Sequence, residues 1–197
     1  FSANPHGLGF PSLHTDHWDP FWAACEETET VVAMHIGSGG LMVTTSPDAP
    51  MNVFITCSGI DIYSTAADLV WSPIFQKFGN LKIALSEGGI GWVPYFLEKV
   101  DYVYKRHKAW TRPELGGRLP SEIFRDHIVT CFISDDFGVT ALDRMNEQMV
   151  TWECDYPHSD SPWPRSAETL HAAVAGLSDE QIDNISHRNA MRLFSFD

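Results

Sequence analysis

Residues 151–164 read TWECDYPHSDSPWP, and they begin inside a short apolar strand pattern at residues 149–152. The first carboxylate of the loop, Asp155, comes just after that pattern ends. Tyr156-Pro157 then turns the chain, because proline fixes φ and cannot extend a strand ladder. Polar, titratable side chains at the carboxyl end of a strand are typical of the functional end of α/β barrels. The stretch therefore predicts a strand-end site, and a helix-capping loop is the alternative interpretation.

The same pattern of strand, polar turn and helix occurs four times in the chain. Apolar strand patterns lie at residues 30–36, 81–85, 127–133 and 149–152, and each leads into a polar turn and then a helical pattern. The turns carry His35, Glu87, Asp135 with Asp136, and Asp155. Strands that alternate with helices predict a parallel α/β architecture. No Gly-x-Gly-x-x-Gly fingerprint follows a strand, which favours a barrel over a doubly wound sheet. Four strands make half of an eight-stranded barrel.

The composition limits the class of protein and its partners. The 197 residues carry 26 acidic and 13 basic side chains, for a net charge of −13, with no basic stripe. Nucleic acid is therefore not expected as a partner. We also recognise no signal peptide and no apolar run long enough to span a bilayer, so no membrane association is expected. The four cysteines are widely spaced and form no Cys-x-x-Cys pair, which favours reduced thiols and a cytoplasmic location.

Four motifs carry a resemblance to a known family. They are MHIGSGG at 34–40, LKIALSEGGIGWVPYFLEKVDYVYKRH at 81–107, WECDYPHSDSPWP at 152–164 and NAMRLFSFD at 189–197. Together they resemble the amidohydrolase-related family of metal-dependent hydrolases and decarboxylases, which includes aminocarboxymuconate-semialdehyde decarboxylase. The resemblance implies the later half of a (β/α)₈ TIM barrel, from strand four or five to strand eight plus C-terminal helices. Residues 1–197 are then one partial barrel domain, a fragment that lacks the first strands.

The resemblance also implies a metal site. It assigns His35 and Asp155 as ligands of one divalent ion, which is zinc in the main interpretation and manganese in the alternative. It also implies a catalytic role for Asp155, which would help to activate the metal-bound water and accept its proton. Imidazole and carboxylate are suitable ligands for such an ion. The family's His-x-His pair has no counterpart in this chain, because His14-x-x-His17 has a different spacing.

The remaining site residues follow from their positions beside the predicted ligands. Glu87 stands where many members carry a catalytic histidine, so it is expected to act as a third ligand, a general base or a partner of a substrate cation. His158 is expected to face the substrate and to assist catalysis. His14, Trp92 and Trp163 are the candidates for contacts with the substrate.

The function expected from these residues is that of a metal-dependent hydrolase. It would use metal-activated water on a small organic acid, amide or lactone. The first alternative is metal-dependent decarboxylation of an aromatic or unsaturated carboxylic acid. A glycosidase that uses Glu87 and Asp155 as its carboxylate pair and a non-catalytic fragment are further alternatives. Because a half-barrel exposes strand edges, we expect this chain alone to be unstable or to associate. The intact protein is expected to form a homo-oligomer.

Overall fold

The fold is built on one parallel sheet. The computed structural model describes residues 1–40, 44 and 46–196. Neighbouring strands pair in chain order and all pairs are parallel, which confirms the predicted α/β architecture. The strands are β1 Val32–His35, β2 Ile83–Ser86, β3 Ile128–Phe132 and β4 Val150–Trp152.

Helices connect the strands and pack against the sheet. Within the described residues the α-helices are α1 Asp19–Glu27, α2 Met51–Cys57, α3 Gly59–Trp71, α4 Ile74–Lys77, α5 Val93–Thr111, α6 Pro120–His127, α7 Asp136–Thr140, α8 Ser166–Ala173, α9 Asp179–Asp183 and α10 Asn189–Leu193. A π-helical turn, Asn184–Arg188, joins α9 to α10. Short 3₁₀ turns lie at His6–Leu8, Asp16–Trp18, Leu142–Arg144 and Glu147–Met149.

Strand side chains alternate between two apolar layers, as the period of two requires. One set packs under the helices in the main core, which includes the fully buried Ile83 and Phe132. Burying side chains of this size stabilises the fold by about 1.5–3 kcal/mol each. The opposite set points to the inner face, where Ala84, Val129 and Met149 form a second, smaller cluster. Because all four strands are parallel, their carboxyl ends lie at one edge of the sheet.

The segment between β1 and β2 is helical, as its sequence pattern indicates, but it is divided by breaks at Ser58 and Ser72-Pro73. The stretch Met51–Trp71 is long and apolar enough, by length and composition, to cross a membrane, and 33% of it is buried within the protein. The expectation that no such run exists is therefore wrong. The apolar side chains of α3 pack in the main core, and Ile62 and Leu69 have no exposed surface. Core packing accounts for the apolar character of that helix.

The helical pattern that follows β3, at residues 138–147, forms a shorter helix than its length indicates. It consists of α7 and the following 3₁₀ turn. Asp135 caps α7 by accepting a hydrogen bond from the backbone N–H of Gly138, at 2.8 Å. The same carboxylate also accepts the N–H groups of Ile90 and Gly91, at 2.7 and 2.6 Å. Asp135 therefore fastens α7 to the turn after β2, which is a structural role.

Candidate metal centre

Three side chains converge at the carboxyl edge of the sheet. His35 is the last residue of β1, Glu87 follows the last residue of β2, and Asp155 lies three residues beyond the end of β4. One ligand atom from each lies within 4.8 Å of the other two. The Nε2 atom of His35 is 3.1 Å from Oε2 of Glu87. These are the residues that the sequence pattern predicts to lie together, and we call them the strand-end cluster.

Two members of the cluster have unusual backbone conformations. Glu87 has φ 61° and Asp155 has φ 51°, which is the left-handed region that non-glycine residues seldom occupy. In a regular strand Glu87 would point to the opposite face from Ser86, which is paired in register with His35. The left-handed turn instead brings Glu87 toward His35. Such a conformation costs on the order of 1–3 kcal/mol and persists where surrounding contacts hold it.

Trp92 supplies part of that support. Its indole Nε1–H donates to the carbonyl oxygens of Gly88 and Gly89, both at 3.0 Å, and so holds the turn that follows Glu87. The ring also packs edge-on against Tyr63, at a centroid distance of 5.6 Å. Trp92 was predicted to contact substrate, but the structure places it behind the turn.

Glu87 and Asp155 share a proton. The side chain of Glu87 is only 12% exposed. Burial, together with the hydrogen bond to Asp155, raises the pKa of Glu87 to about 7. The hydrogen bond from Glu87 lowers the pKa of Asp155, with a further contribution from His158. Below about pH 7, the pair therefore keeps one proton on Glu87 while Asp155 is ionised.

The orientation of His35 favours ligation through Nε2. Its Nδ1 atom lies 2.8 Å from the carbonyl oxygen of Ile36. A carbonyl only accepts hydrogen bonds, so Nδ1 carries the proton and Nε2 keeps a lone pair in the neutral ring. Burial opposes protonation, but the Ile36 carbonyl and the Glu87 carboxylate outweigh it and raise the pKa of His35. The Nε2 atom is the one that faces Glu87.

His158 lies on the far side of Asp155. Its Nδ1 atom is 2.6 Å from Oδ2 of Asp155, and its backbone N–H donates to the carbonyl oxygen of Asp155 at 2.8 Å. The imidazole is more than half exposed. An exposed imidazole therefore stands between the cluster and solvent, where a bound molecule could reach it.

A cleft opens beside the cluster and has a volume of about 350 Å³. We call it the strand-end cleft. Its lining residues are His35, Ile36, Gly37, Phe54, Ile55, Ser58, Asp61, Glu87, His158, Ser159 and Asp160. The predicted ligand His35 and the predicted acid–base residues Glu87 and His158 thus share one cleft.

Two predicted substrate contacts lie apart from this lining. His14 is bound through Nε2 to Asp68 of α3, at 2.5 Å. Trp163 packs edge-on against Tyr156 at a centroid distance of 5.3 Å and is 61% exposed. Both aromatic rings belong to the loop that carries Asp155, but neither lines the strand-end cleft.

Two acidic residues near the cluster were not predicted from the sequence. Asp61 of α3 is buried and accepts the backbone N–H of Gly37, at 3.0 Å, so it fixes the turn after His35. Glu153 accepts a hydrogen bond from Sγ of Cys131 at 3.0 Å, and its Oε1 atom is buried without a hydrogen-bond partner among the described residues. Alternate residues of a strand point to the same face, so the strand pattern could have indicated that Glu153 lies on the same face as Thr151.

The strand-end cluster fits a divalent ion. Zinc-to-ligand bonds of about 2.0–2.2 Å place neighbouring ligand atoms roughly 3–4 Å apart, so donors within 4.8 Å of one another need only small side-chain movements. One imidazole nitrogen and two carboxylates suit zinc or manganese. A buried carboxylate pair that must otherwise share a proton is also the kind of arrangement that a cation stabilises.

The comparison with protein families agrees with this chemistry. The amidohydrolase family model matches residues 1–196. The chain belongs to the amidohydrolase family. Among the curated proteins, none matches the chain.

Solved structures of similar fold come from several amidohydrolases and decarboxylases. An amidohydrolase from Mycobacterium avium subsp. paratuberculosis is 21% identical with a TM-score of 0.81, and the match covers 98% of this chain and 50% of that one. The 5-carboxyvanillate decarboxylase LigW from Sphingomonas paucimobilis is 19% identical with a TM-score of 0.70, covering 90% and 53%. The LigW2 enzyme of Novosphingobium aromaticivorans, a mutant with bound manganese, is 19% identical with a TM-score of 0.72, covering 99% and 56%.

These comparisons identify the fold of the chain. The chain spans about half the length of the solved structures that it matches. Amidohydrolases of this family are TIM barrels, and the four-stranded parallel sheet corresponds to part of one.

Proposed function

We propose that the protein is a metal-dependent hydrolase that acts on a small organic acid, amide or lactone, with β1 to β4 serving as strands five to eight of its barrel. The observation that carries the proposal is the strand-end cluster, in which His35, Glu87 and Asp155 present ligand atoms within 4.8 Å of one another. Membership of the amidohydrolase family supports the same class.

In this proposal His35 and Asp155 hold the ion, which is zinc first and manganese second. A divalent ion at this place would polarise a substrate oxygen and lower the pKa of water. Bound manganese in the LigW2 structure is a reason to test both metals.

Glu87 is proposed as the group that moves a proton in the reaction. Burial raises its pKa to about 7, and a divalent ion beside it would favour the ionised carboxylate, which can accept a proton as a general base. His158 would orient Asp155 through the 2.6 Å contact and exchange protons with solvent. Both residues line the strand-end cleft, so both can reach a bound substrate.

The test uses the protein expressed from its complete reading frame and loaded with zinc or manganese. A panel of carboxylic acids, amides and lactones is screened for turnover. We expect Asp155→Asn to lower kcat by at least about 100-fold, because it weakens the ligand and removes a charge that balances the ion. The matched control is Asp136→Asn, which alters an exposed carboxylate after β3 and should leave kcat unchanged.

Two results would contradict this assignment. One is full turnover by Asp155→Asn, which would remove Asp155 from the chemistry. The other is turnover that survives complete removal of metal by a chelator, which would favour a carboxylate-pair mechanism.

The second candidate is a metal-dependent decarboxylase, favoured by the fold shared with LigW and LigW2. It is distinguished by its product: release of carbon dioxide from a carboxylic acid, without consumption of water, would identify decarboxylation. Glu87 favours hydrolysis over this candidate, because the resemblance associates decarboxylation with a histidine at that position.

A further inference from the structure

We propose that α2 forms the specificity wall of the strand-end cleft and selects a substrate whose body is apolar and carries no second anionic group. This inference rests on the proposed function and adds the class of substrate to it. Phe54 and Ile55 of α2 line the cleft together with His35, Glu87 and His158. The cleft thus combines an apolar wall with the ligand and proton-transfer groups.

The apolar wall is open to a ligand. Ile55 is 59% exposed, which is high for an isoleucine beside a cluster of polar residues, and Phe54 beside it is half-buried. Small-molecule sites commonly combine such apolar surface with a few polar groups that fix orientation. A volume of about 350 Å³ is at the small end of the usual range for ligand pockets. The body of the substrate should therefore be about the size of one aromatic ring.

The position of the wall is fixed relative to the cluster. Asp61, near the start of α3, accepts the backbone N–H of Gly37, and Gly37 lies two residues after the proposed ligand His35. Within the α2–α3 junction, the Ser58 hydroxyl donates to the carbonyl oxygen of Ile55 at 2.8 Å. These contacts connect α2 to the end of β1, so a substrate bound to the ion would meet α2 at a defined distance.

The charges around the wall disfavour a second anion. Asp61, Glu87 and Asp160 line the strand-end cleft, and its described lining includes no lysine or arginine. A carboxylate on the body of the substrate would lose water and gain no cation from this wall, which costs affinity. The single carboxylate, amide or ester that binds the ion would not meet this penalty.

The test uses two probes with the same metal-binding head. Benzohydroxamic acid has an uncharged ring, whereas 4-carboxybenzohydroxamic acid adds one carboxylate to that ring. Binding to the zinc-loaded protein from its complete reading frame is measured by titration calorimetry. We expect benzohydroxamic acid to bind at least tenfold more tightly.

Variants connect that preference to α2. Ile55→Lys places a cation in the wall, so the carboxylated probe should gain at least tenfold while benzohydroxamic acid loses affinity. Ile55→Ala should weaken benzohydroxamic acid several-fold without favouring the carboxylated probe. The matched control is Ile60→Lys, which changes an exposed isoleucine of α3 that does not line the cleft and should alter neither affinity.

The outcomes separate this inference from the proposed function. If metal is retained and both probes bind equally, or if Ile55→Lys behaves like Ile60→Lys, the specificity wall is wrong and the hydrolase proposal stands. If no metal is retained and neither probe binds, the proposed function fails and this inference fails with it.

Discussion

At the level of single residues, the proton shared by Glu87 and Asp155 determines how the cluster takes up a cation. The pKa of Glu87 is about 7, and a divalent ion held by His35 and Asp155 would favour the ionised carboxylate, so below that pH ion binding displaces the proton of Glu87. Metal affinity should therefore rise as pH increases toward 7 and level off above it. Ion binding at Nε2 of His35 displaces a proton in the same way, and the pKa of His35 is also raised.

We predict that Glu87→Gln reduces the number of protons released on zinc binding by about one at pH 6, because the glutamine has no proton to displace. Calorimetry in buffers of different ionisation enthalpy measures this number. The control is Glu122→Gln, which changes the capping side chain of α6 and should release as many protons as the wild type. An unchanged proton count in Glu87→Gln would show that the shared proton lies elsewhere.

His127, at the end of α6, couples the stability of the core to pH. It is 1% exposed, its Nδ1 atom lies 2.9 Å from the carbonyl oxygen of Leu81, and its ring stacks on Phe75. Burial lowers the pKa of His127, so the unfolded chain takes up a proton that the folded chain excludes. The stabilisation that the neutral ring provides is present above the ordinary histidine pKa of 6.5 and is lost as pH falls below it.

We predict that His127→Gln lowers the free energy of unfolding by about 1–3 kcal/mol at pH 8, since a buried hydrogen bond and packed ring are lost. The difference from wild type should shrink between pH 6.5 and 5, because only the wild type pays for protonation in that window. Urea unfolding of the protein from the complete reading frame measures both. His171→Gln on the exposed face of α8 is the control, and a pH-independent difference would contradict the assignment.

At the level of elements, the turn after β2 determines where Glu87 points. Trp92, at the start of α5, donates its indole N–H to two carbonyl oxygens of that turn. We predict that Trp92→Phe keeps the ring packing but loosens Glu87, so that zinc affinity falls several-fold while the free energy of unfolding falls by only about 0.5–1.5 kcal/mol. Competition with a zinc-sensitive dye measures the affinity. Trp71→Phe, at the end of α3, is the control, and equal zinc affinities in the two variants would argue against a role for the turn.

The elements that the sequence predicts best are those with a local signal. Uniformly apolar runs predicted β1 to β4. The polar residues at their carboxyl ends, His35, Glu87 and Asp155, were predicted to lie together because parallel strands bring those ends to one edge. The role of Trp92 could not be predicted, since an aromatic residue in a helical stripe is equally suited to core packing. Asp61 acts through a contact with Gly37 that is distant in sequence, and only the folded chain reveals it.

At the level of the whole molecule, the chain exposes more surface than a compact protein of its mass. Its accessible surface is 11115 Å², whereas a compact monomer of 22.1 kDa is expected to expose about 9300 Å². The excess of about 1800 Å² is roughly twice the ~800 Å² that one partner contributes to a standard protein–protein interface. Among the described strands, β1 pairs only with β2 and β4 only with β3, so each leaves one edge unpaired.

We predict that these 197 residues, expressed alone, associate in a concentration-dependent way, because the unpaired parallel edges of β1 and β4 remain available for contact. Light scattering coupled to size-exclusion chromatography should show a mean mass that rises with concentration. The protein from the complete reading frame is the control and should form one discrete species, since solved structures of this fold are about twice as long. A monomeric chain with a single sharp unfolding transition would mean that the two edges are covered by the 197 residues themselves, and the half-barrel interpretation would have to be abandoned.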